Sequence, residues 1–342
     1  MKRHCAILVA AAIAWAGCGD SGQPVDTVVV YTSVDDVFAR PIAEKFTAQT
    51  GIRVKLVPDT EETKSTGLLN RLIAERNRPV ADVFWSGDPM RAAVLKARGI
   101  SVPYRSLKAA GMPAQFSDPE AHWSALSARA RVLIYNKNII GKGAEPKSVH
   151  DLLDPRFKGK ACLANPMFGT TSMHAAALFE AMGEANATTF FEGLLVNEVE
   201  MLSSNGEVRR RVAAGDFAFG LTDTDDASVA LKEGKPVGVV YPDQDDLGAL
   251  IIPNAAVLIA GGPNAAAGKK FIDYLLSAEV EEALAKSEAA QMPLRPGVPV
   301  PAGVKRVGDL KAMAVDYTKL AARHEKLAKG FLKAWVDKNN RQ

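Results

Sequence analysis

From Val28 onward, short apolar runs alternate with stretches whose apolar residues recur every three or four positions. Val28-Val29-Val30-Tyr31 is continuous, the pattern of a strand buried on both faces. Val37, Ile42, Ala43 and Phe46 follow at helical spacing, and Gly51 ends that helix. Ile52, Val54 and Leu56 alternate as a second strand closed by Pro58. Leu68, Leu69, Leu72 and Ile73 form the next helical stripe, and Val83-Phe84-Trp85 a third strand. This β-α-β-α-β order predicts an α/β fold with a mainly parallel sheet.

The pattern then restarts. Strands are expected at 131–135, 161–164, 217–221, 237–241 and 255–259, with helices at 172–182, 226–232 and 265–276. The tail from Asp309 to Trp335 reads as helical, with Leu310, Met313, Tyr317, Leu320, Leu327, Phe331 and Trp335 as its packing stripe. A chain this long exceeds a typical single core, so two lobes are expected. The boundaries read as 26–127 plus 254–300 for the first lobe, 128–253 for the second, and 301–342 for a helical tail packing on both.

The N-terminus changes the picture of where the chain works. Lys2 and Arg3 precede an apolar run from Ala6 to Ala16 that is too short for a bilayer core, which needs about 20 apolar residues. With small residues at its exit, the segment 1–17 reads as a secretory signal. Cys18, directly after Ala16-Gly17, is the expected lipidation site, and residues 18–25 make a polar tether. The expected location is the periplasmic side of a bacterial membrane, touching the bilayer only through the anchor. Without Lys2 and Arg3, the 42 basic residues become 40 against 39 acids, so no nucleic-acid-binding face is implied. Cys5 leaves with the leader and Cys18 carries lipid, so Cys162 has no intramolecular partner for a disulfide.

In open parallel sheets, ligands sit beyond the carboxyl ends of strands, where helix N-termini offer N–H groups. The residues at those positions are Tyr31-Thr32-Ser33, Ser86-Gly87-Asp88, Gly169-Thr170-Thr171-Ser172 and Thr222-Asp223-Thr224-Asp225-Asp226. Hydroxyls, carboxylates and glycines dominate them. Each set also serves as ordinary helix capping; facing one cleft, they become candidate ligand contacts.

Several of these segments resemble the ferric iron-binding family of periplasmic solute-binding proteins. The resemblance is carried by Tyr31-Thr32-Ser33, Ala81-Asp82-Val83-Phe84-Trp85-Ser86, Arg129-Ala130-Arg131-Val132-Leu133-Ile134-Tyr135-Asn136, Gly220-Leu221-Thr222 and Val240-Tyr241-Pro242-Asp243-Gln244. Together they run in family order over most of the mature chain. The resemblance implies a two-lobed, type 2 periplasmic-binding-protein fold with crossing hinge strands. It also implies a monomer that hands its cargo to an ABC permease and its ATPase. Many iron-binding members carry two adjacent tyrosines where this chain has Asp223-Thr224-Asp225-Asp226, and the chain has no Tyr-Tyr pair. Asp223 and Asp225 are therefore the candidate metal ligands, because ferric iron accepts hard oxygen donors. Arg129 with Thr170, Thr171 and Ser172 would hold an anion. The cargo expected is Fe3+ or an iron–anion complex; an organic or phosphorylated anion (a phosphonate or sugar phosphate) is the alternative. A ligand-sensing module without a permease is the reading from another class.

Enzyme signatures are absent from the sequence. No Gly-x-Ser-x-Gly elbow occurs, and His324-Glu325 lacks the second histidine of a His-Glu-x-x-His pair. His122, His150, His174 and His324 are scattered, and 262–269 departs from a phosphate loop by one residue of spacing. No catalytic residue and no cofactor are expected.

Overall fold

The computed structural model describes residues 26–59 and 66–341. The signal segment, the tether and Cys18 lie outside the described residues. Ten strands form one curled mixed sheet in the order β2-β1-β3-β10-β5-β8-β6-β7, with β4 on β10 and β9 on β5. The strands are β1 (Thr27–Thr32), β2 (Arg53–Pro58), β3 (Val83–Ser86), β4 (Ser101–Val102), β5 (Ser124–Asn136), β6 (Ala161–Ala164), β7 (Glu200–Leu202), β8 (Phe219–Asp223), β9 (Val237–Val240) and β10 (Ile251–Ile259). In one half β2, β1 and β3 are parallel, and β10 joins them antiparallel. In the other half β7, β6 and β8 are parallel, and β5 joins them antiparallel. β5 and β10 pair with each other antiparallel from Ser124 to Ala130, with an irregularity at Asn254/Ala255, and so join the halves.

Helices follow the strands as the periodicity requires. They are α1 (Asp36–Thr50), α2 (Gly67–Ala74), α3 (Pro89–Ala97), α4 (Gly169–Met182), α5 (Glu184–Val196), α6 (Asn205–Ala214) and α7 (Thr224–Lys232), then α8 (Ala265–Leu275), α9 (Ala278–Lys286), α10 (Tyr317–Lys329) and α11 (Phe331–Asn339). Gly51 stops α1 in the left-handed conformation, φ 73°, and returns its N–H to Thr47. Val28 and Val30 face a core with Phe46, Phe271 and Leu275, whereas Val29 and Tyr31 face the core that continues into the second half. Burial on both faces is what the unbroken apolar run of β1 demands. Trp85 and Trp123 are core residues, 0% and 4% exposed.

Some expectations are corrected. Val37 lies on the outer side of α1, 70% exposed, and Ala39 takes its place in the packing stripe. The strand expected at 131–135 begins seven residues earlier, at Ser124. The tail is not helical from Asp309: in a parallel bridge with Ala312, Ala249 N donates to the Lys311 carbonyl and its own carbonyl accepts from Met313 N, and the helix begins only where Asp316 caps Thr318 and Lys319. Gly330 then breaks it into α10 and α11. Leu310 and Met313 have helical spacing, but their backbone is extended because Ala249 offers it a partner.

Candidate functional site

Side chains two apart on a strand share a face. Arg129 and Arg131 therefore point together from β5 toward the ends of β6, β7 and β8. Arg131 stands directly opposite Asp223 across the β5–β8 ladder. Its Nη1 donates to Asp223 Oδ1 at 2.6 Å, to Asn205 Oδ1 at 3.1 Å and to Thr170 Oγ1 at 3.2 Å; Nη2 donates to Thr171 Oγ1 at 3.3 Å. The other carboxylate oxygen of Asp223 accepts from Thr170 Oγ1 at 2.6 Å and from Asn205 Nδ2 at 3.3 Å. Arg131 is wholly buried and Asp223 nearly so. Burial alone would raise the Asp223 carboxyl, but Arg131 and then Arg129, aided by Thr170, hold it below the usual carboxylate range.

This cradle has its anion already. The hydroxyls expected to hold an exogenous anion, Thr170 and Thr171, bind the chain's own Asp223 and Arg131. Ser172 donates to the Gly169 carbonyl at 2.7 Å and is buried. One turn further along α4, His174 is buried with neither ring nitrogen partnered. Burial first, and Arg131 second, depress it to about 3, so its ring is neutral beside the arginine.

Arg129 lies in a different setting. Its Nε is 3.4 Å from Asp223 Oδ2 and 3.9 Å from Asp225 Oδ2, and it makes no well-formed hydrogen bond. From the first half of the sheet, Gly87 backs the guanidinium so closely that a Cβ there would sit 3.7 Å from both Nη atoms. Ser33 Oγ holds this loop by accepting from Gly87 N at 2.9 Å. Burial works against the charge on Arg129, but Asp225, Asp223, Asp88 and Asp35 outweigh it and raise its pKa. Those four carboxylates come from both halves of the sheet.

Beyond Arg129, the start of α7 gathers acids. Asp223, Asp225 and Asp226 each offer an oxygen within 4.8 Å of the others. Burial, plus repulsion from Asp223 that the pull of Arg129 does not cancel, pushes Asp225 up to about 6. Burial, then Asp225 and Asp223, push Asp226 up to about 7. The cluster is short of positive charge, and Asp225 keeps about a quarter of its side-chain surface (25%) open.

The remaining candidates take other places. Tyr31 points away, its hydroxyl donating to the Glu75 carboxylate at 3.0 and 3.1 Å beneath Arg71. Thr32 donates to the Trp85 carbonyl at 3.0 Å, which ties the end of β1 to β3, and Ser86 donates to the Asp88 carbonyl at 2.6 Å within its own loop. Asp88 caps α3 through Arg91 N and pairs with the Arg91 guanidinium at 3.4 Å. Thr224 Oγ1 accepts from Ala130 N at 3.2 Å. Arg131, Asn205, Asp226, Asp35 and His174 complete the constellation, and of these only Asp226 stands among the strand-end candidates. Arg131 was recognisable as a charge inside an apolar strand, on the same face as Arg129. Asn205 follows β7, whose three residues are too few to leave a period.

A model of the bacterial extracellular solute-binding proteins matches residues 78–312. The chain is 29% identical over 289 residues to iron uptake protein A1 of Synechocystis sp., covering 81% of this chain and 78% of that protein. It is 30% identical over 246 residues to a putative 2-aminoethylphosphonate-binding periplasmic protein of Salmonella typhimurium, covering 70% and 68%. Its fold superimposes on iron-bound HitA from Pseudomonas aeruginosa with a TM-score of 0.80 and 23% identity, covering 89% and 98%.

Proposed function

The chain belongs to the bacterial extracellular solute-binding proteins, and from that membership we propose that it captures a small solute between two lobes and delivers it to an ABC permease. The cargo brings positive charge to Asp225 and Asp226. Ferric iron, alone or with a companion anion, is the first reading, since its named relatives include an iron uptake protein and hard cations take carboxylate oxygens. The observation that carries this reading is the cluster of three carboxylates within 4.8 Å, two of them held above their ordinary range. Asp223 is not a free ligand in this scheme, because Arg131 neutralises it. Asp225 and Asp226 are the donors.

A second reading has a specific support. Arg129 Nε is buried without a well-formed hydrogen bond beside these acids, so anion and cation acceptors lie side by side. An aminophosphonate, with its ammonium on Asp225 and Asp226 and its phosphonate on Arg129, uses both. The lobes are proposed as 26–127 plus 254–300 and 128–253, closing about β5 and β10. Cys18 is proposed to carry the lipid anchor, placing a monomer on the periplasmic side, and the role is binding, not catalysis.

The test is a thermal-shift panel on metal-stripped mature protein. A ligand at a hundredfold excess over its Kd stabilises by about 2.7 kcal/mol. Ferric citrate is expected to raise the melting temperature, and Asp225→Asn to cancel the rise. A shift with 2-aminoethylphosphonate and none with ferric citrate would replace the first reading by the second. Silence from both would reject a positively charged cargo.

A further inference from the structure

Helix α7 has a second face. Thr224, Ala227, Ser228 and Leu231 fall on one side of it, a face whose mean direction lies about 110° around the helix from Asp225 and about 150° from Asp226, with Ser228 at its edge nearest Asp225. That side opens into a cavity of about 440 Å³, within the range of small-molecule sites. Three separate pieces of chain wall it: α7 with Val239 and Tyr241, then Ala285 to Met292, then 301–305. Ala227, Leu231, Val239, Met292 and Val304 make the walls apolar, and Leu231 is 47% exposed.

The charges on the cavity have one sign. Lys232, Lys286 and Lys305 line it, and no carboxylate does among the described residues. Lys286 is paired with Glu282 at 2.5 Å, so Lys232 and Lys305 carry the field. Lys232 reaches the Ser287 carbonyl at 2.9 Å, and Lys305 stands 5.9 Å from the centre of the Tyr241 ring. Burial pushes the Tyr241 hydroxyl up to about 12, so it is a neutral donor at physiological pH. Ser228 and Thr224 supply further hydroxyls. The chemistry is the reverse of the cleft: acids and a cation deficit on one face of α7, apolar walls and uncompensated lysines on the other.

We infer that this cavity is a second binding site, for an organic anion with a compact apolar body, its charged group between Lys232 and Lys305 and its body against Leu231, Val239 and Met292. The hydrophobic walls supply affinity and the lysines select the charge. The inference does not depend on the identity of the cargo, since it uses none of the cleft acids.

The experiment is a fluorescence titration of the folded protein with 1-anilinonaphthalene-8-sulfonate, with near-ultraviolet circular dichroism confirming native packing throughout. Saturable binding of one probe per chain is expected. N-phenyl-1-naphthylamine, the same body without the sulfonate, should bind about tenfold more weakly, the worth of one charge-assisted contact. Lys305→Glu and Lys232→Glu should each cost about as much. Ser228→Trp and Ala302→Trp, which fill the cavity from opposite walls, should abolish binding, while Asp225→Asn leaves it unchanged. Two filling variants guard against one that fails to fold. No saturable binding, or binding that survives either folded filling variant, overturns the site; equal affinity for the uncharged probe overturns the anion assignment.

Discussion

Arg129 and Arg131 are two residues apart on one face of one strand, yet they do different work. Arg131 has no exposed side-chain surface, and five acceptors from β8, α4 and α6 surround it. Arg129 keeps 15% of its side chain exposed and feels carboxylates from both halves of the sheet without a close bond to any. In the first arrangement the charge is matched inside the fold by Asp223, although Arg131 Nε, like Arg129 Nε, has no hydrogen-bond partner. The second has spare acceptors in Asp225 and Asp226 and a donor beside them. Removing one partner of a buried pair leaves an uncompensated charge in a medium that solvates it poorly, while a partly open charge finds water. Closure makes an ion pair structural, and openness leaves it available to a ligand.

Breaking the closed pair gives the largest expected effect. Arg131→Met strands Asp223 among Thr170, Thr171 and Asn205 and should cost about 3–5 kcal/mol in denaturant unfolding. The double variant with Asp223→Leu should recover much of that loss, because the orphaned charge goes too. A single variant as stable as the wild type would show that the pair is not what organises this region.

The pH response sharpens the open side. Asp225 and Asp226 have folded values above their unfolded ones, so the folded state holds more protons between roughly pH 4 and 7. Their contribution is therefore fully present below the unfolded pKa and is lost as pH rises through about 6 and 7. The ligand-free protein should lose about 1.4 kcal/mol relative to Asp225→Asn between pH 5 and 8, the rest of the roughly 3 kcal/mol linkage having been lost below pH 5. Parallel melting curves for the two proteins across that range would remove the cation deficit from the account. A cationic cargo should bind more tightly toward pH 8 and release protons as it does.

Arg129→Met should cost only about 1 kcal/mol at pH 6, where the neighbouring acids are partly protonated, and more at pH 8. A loss as large as that of Arg131→Met would erase the contrast between the two arginines. The smallest effect belongs to Tyr31→Phe. Losing the bond to Glu75 should cost about 1 kcal/mol in urea unfolding, with no change in affinity for any cargo. A weakened affinity would return Tyr31 to the binding site.

Much of the site was legible because strand ends can be read from apolar runs that stop at polar residues. Ser33, Asp88, Thr170, Thr171, Asp223 and Asp225 were all reached that way. What misled was direction. Tyr31 and Thr32 sit at the same strand end as Ser33, but alternation sends Tyr31 toward Glu75, and Thr32 turns its hydroxyl to the Trp85 carbonyl. The three-residue β7 left no signal, so Asn205 was missed with it.

The sequence alone determined the opening order β1-α1-β2-α2-β3, the helix stop at Gly51, the unpartnered Cys162 and the acidic start of α7, because each depends on neighbours in the chain. Only the tertiary structure decided which charges meet. The antiparallel register of β5 on β8 sets Arg131 opposite Asp223 across 92 positions of sequence. The pairing of β5 with β10 brings Gly87 and Ser33 up to Arg129. Whether a carboxylate is a ligand or a counter-ion depends on such long-range registers, which local composition does not encode.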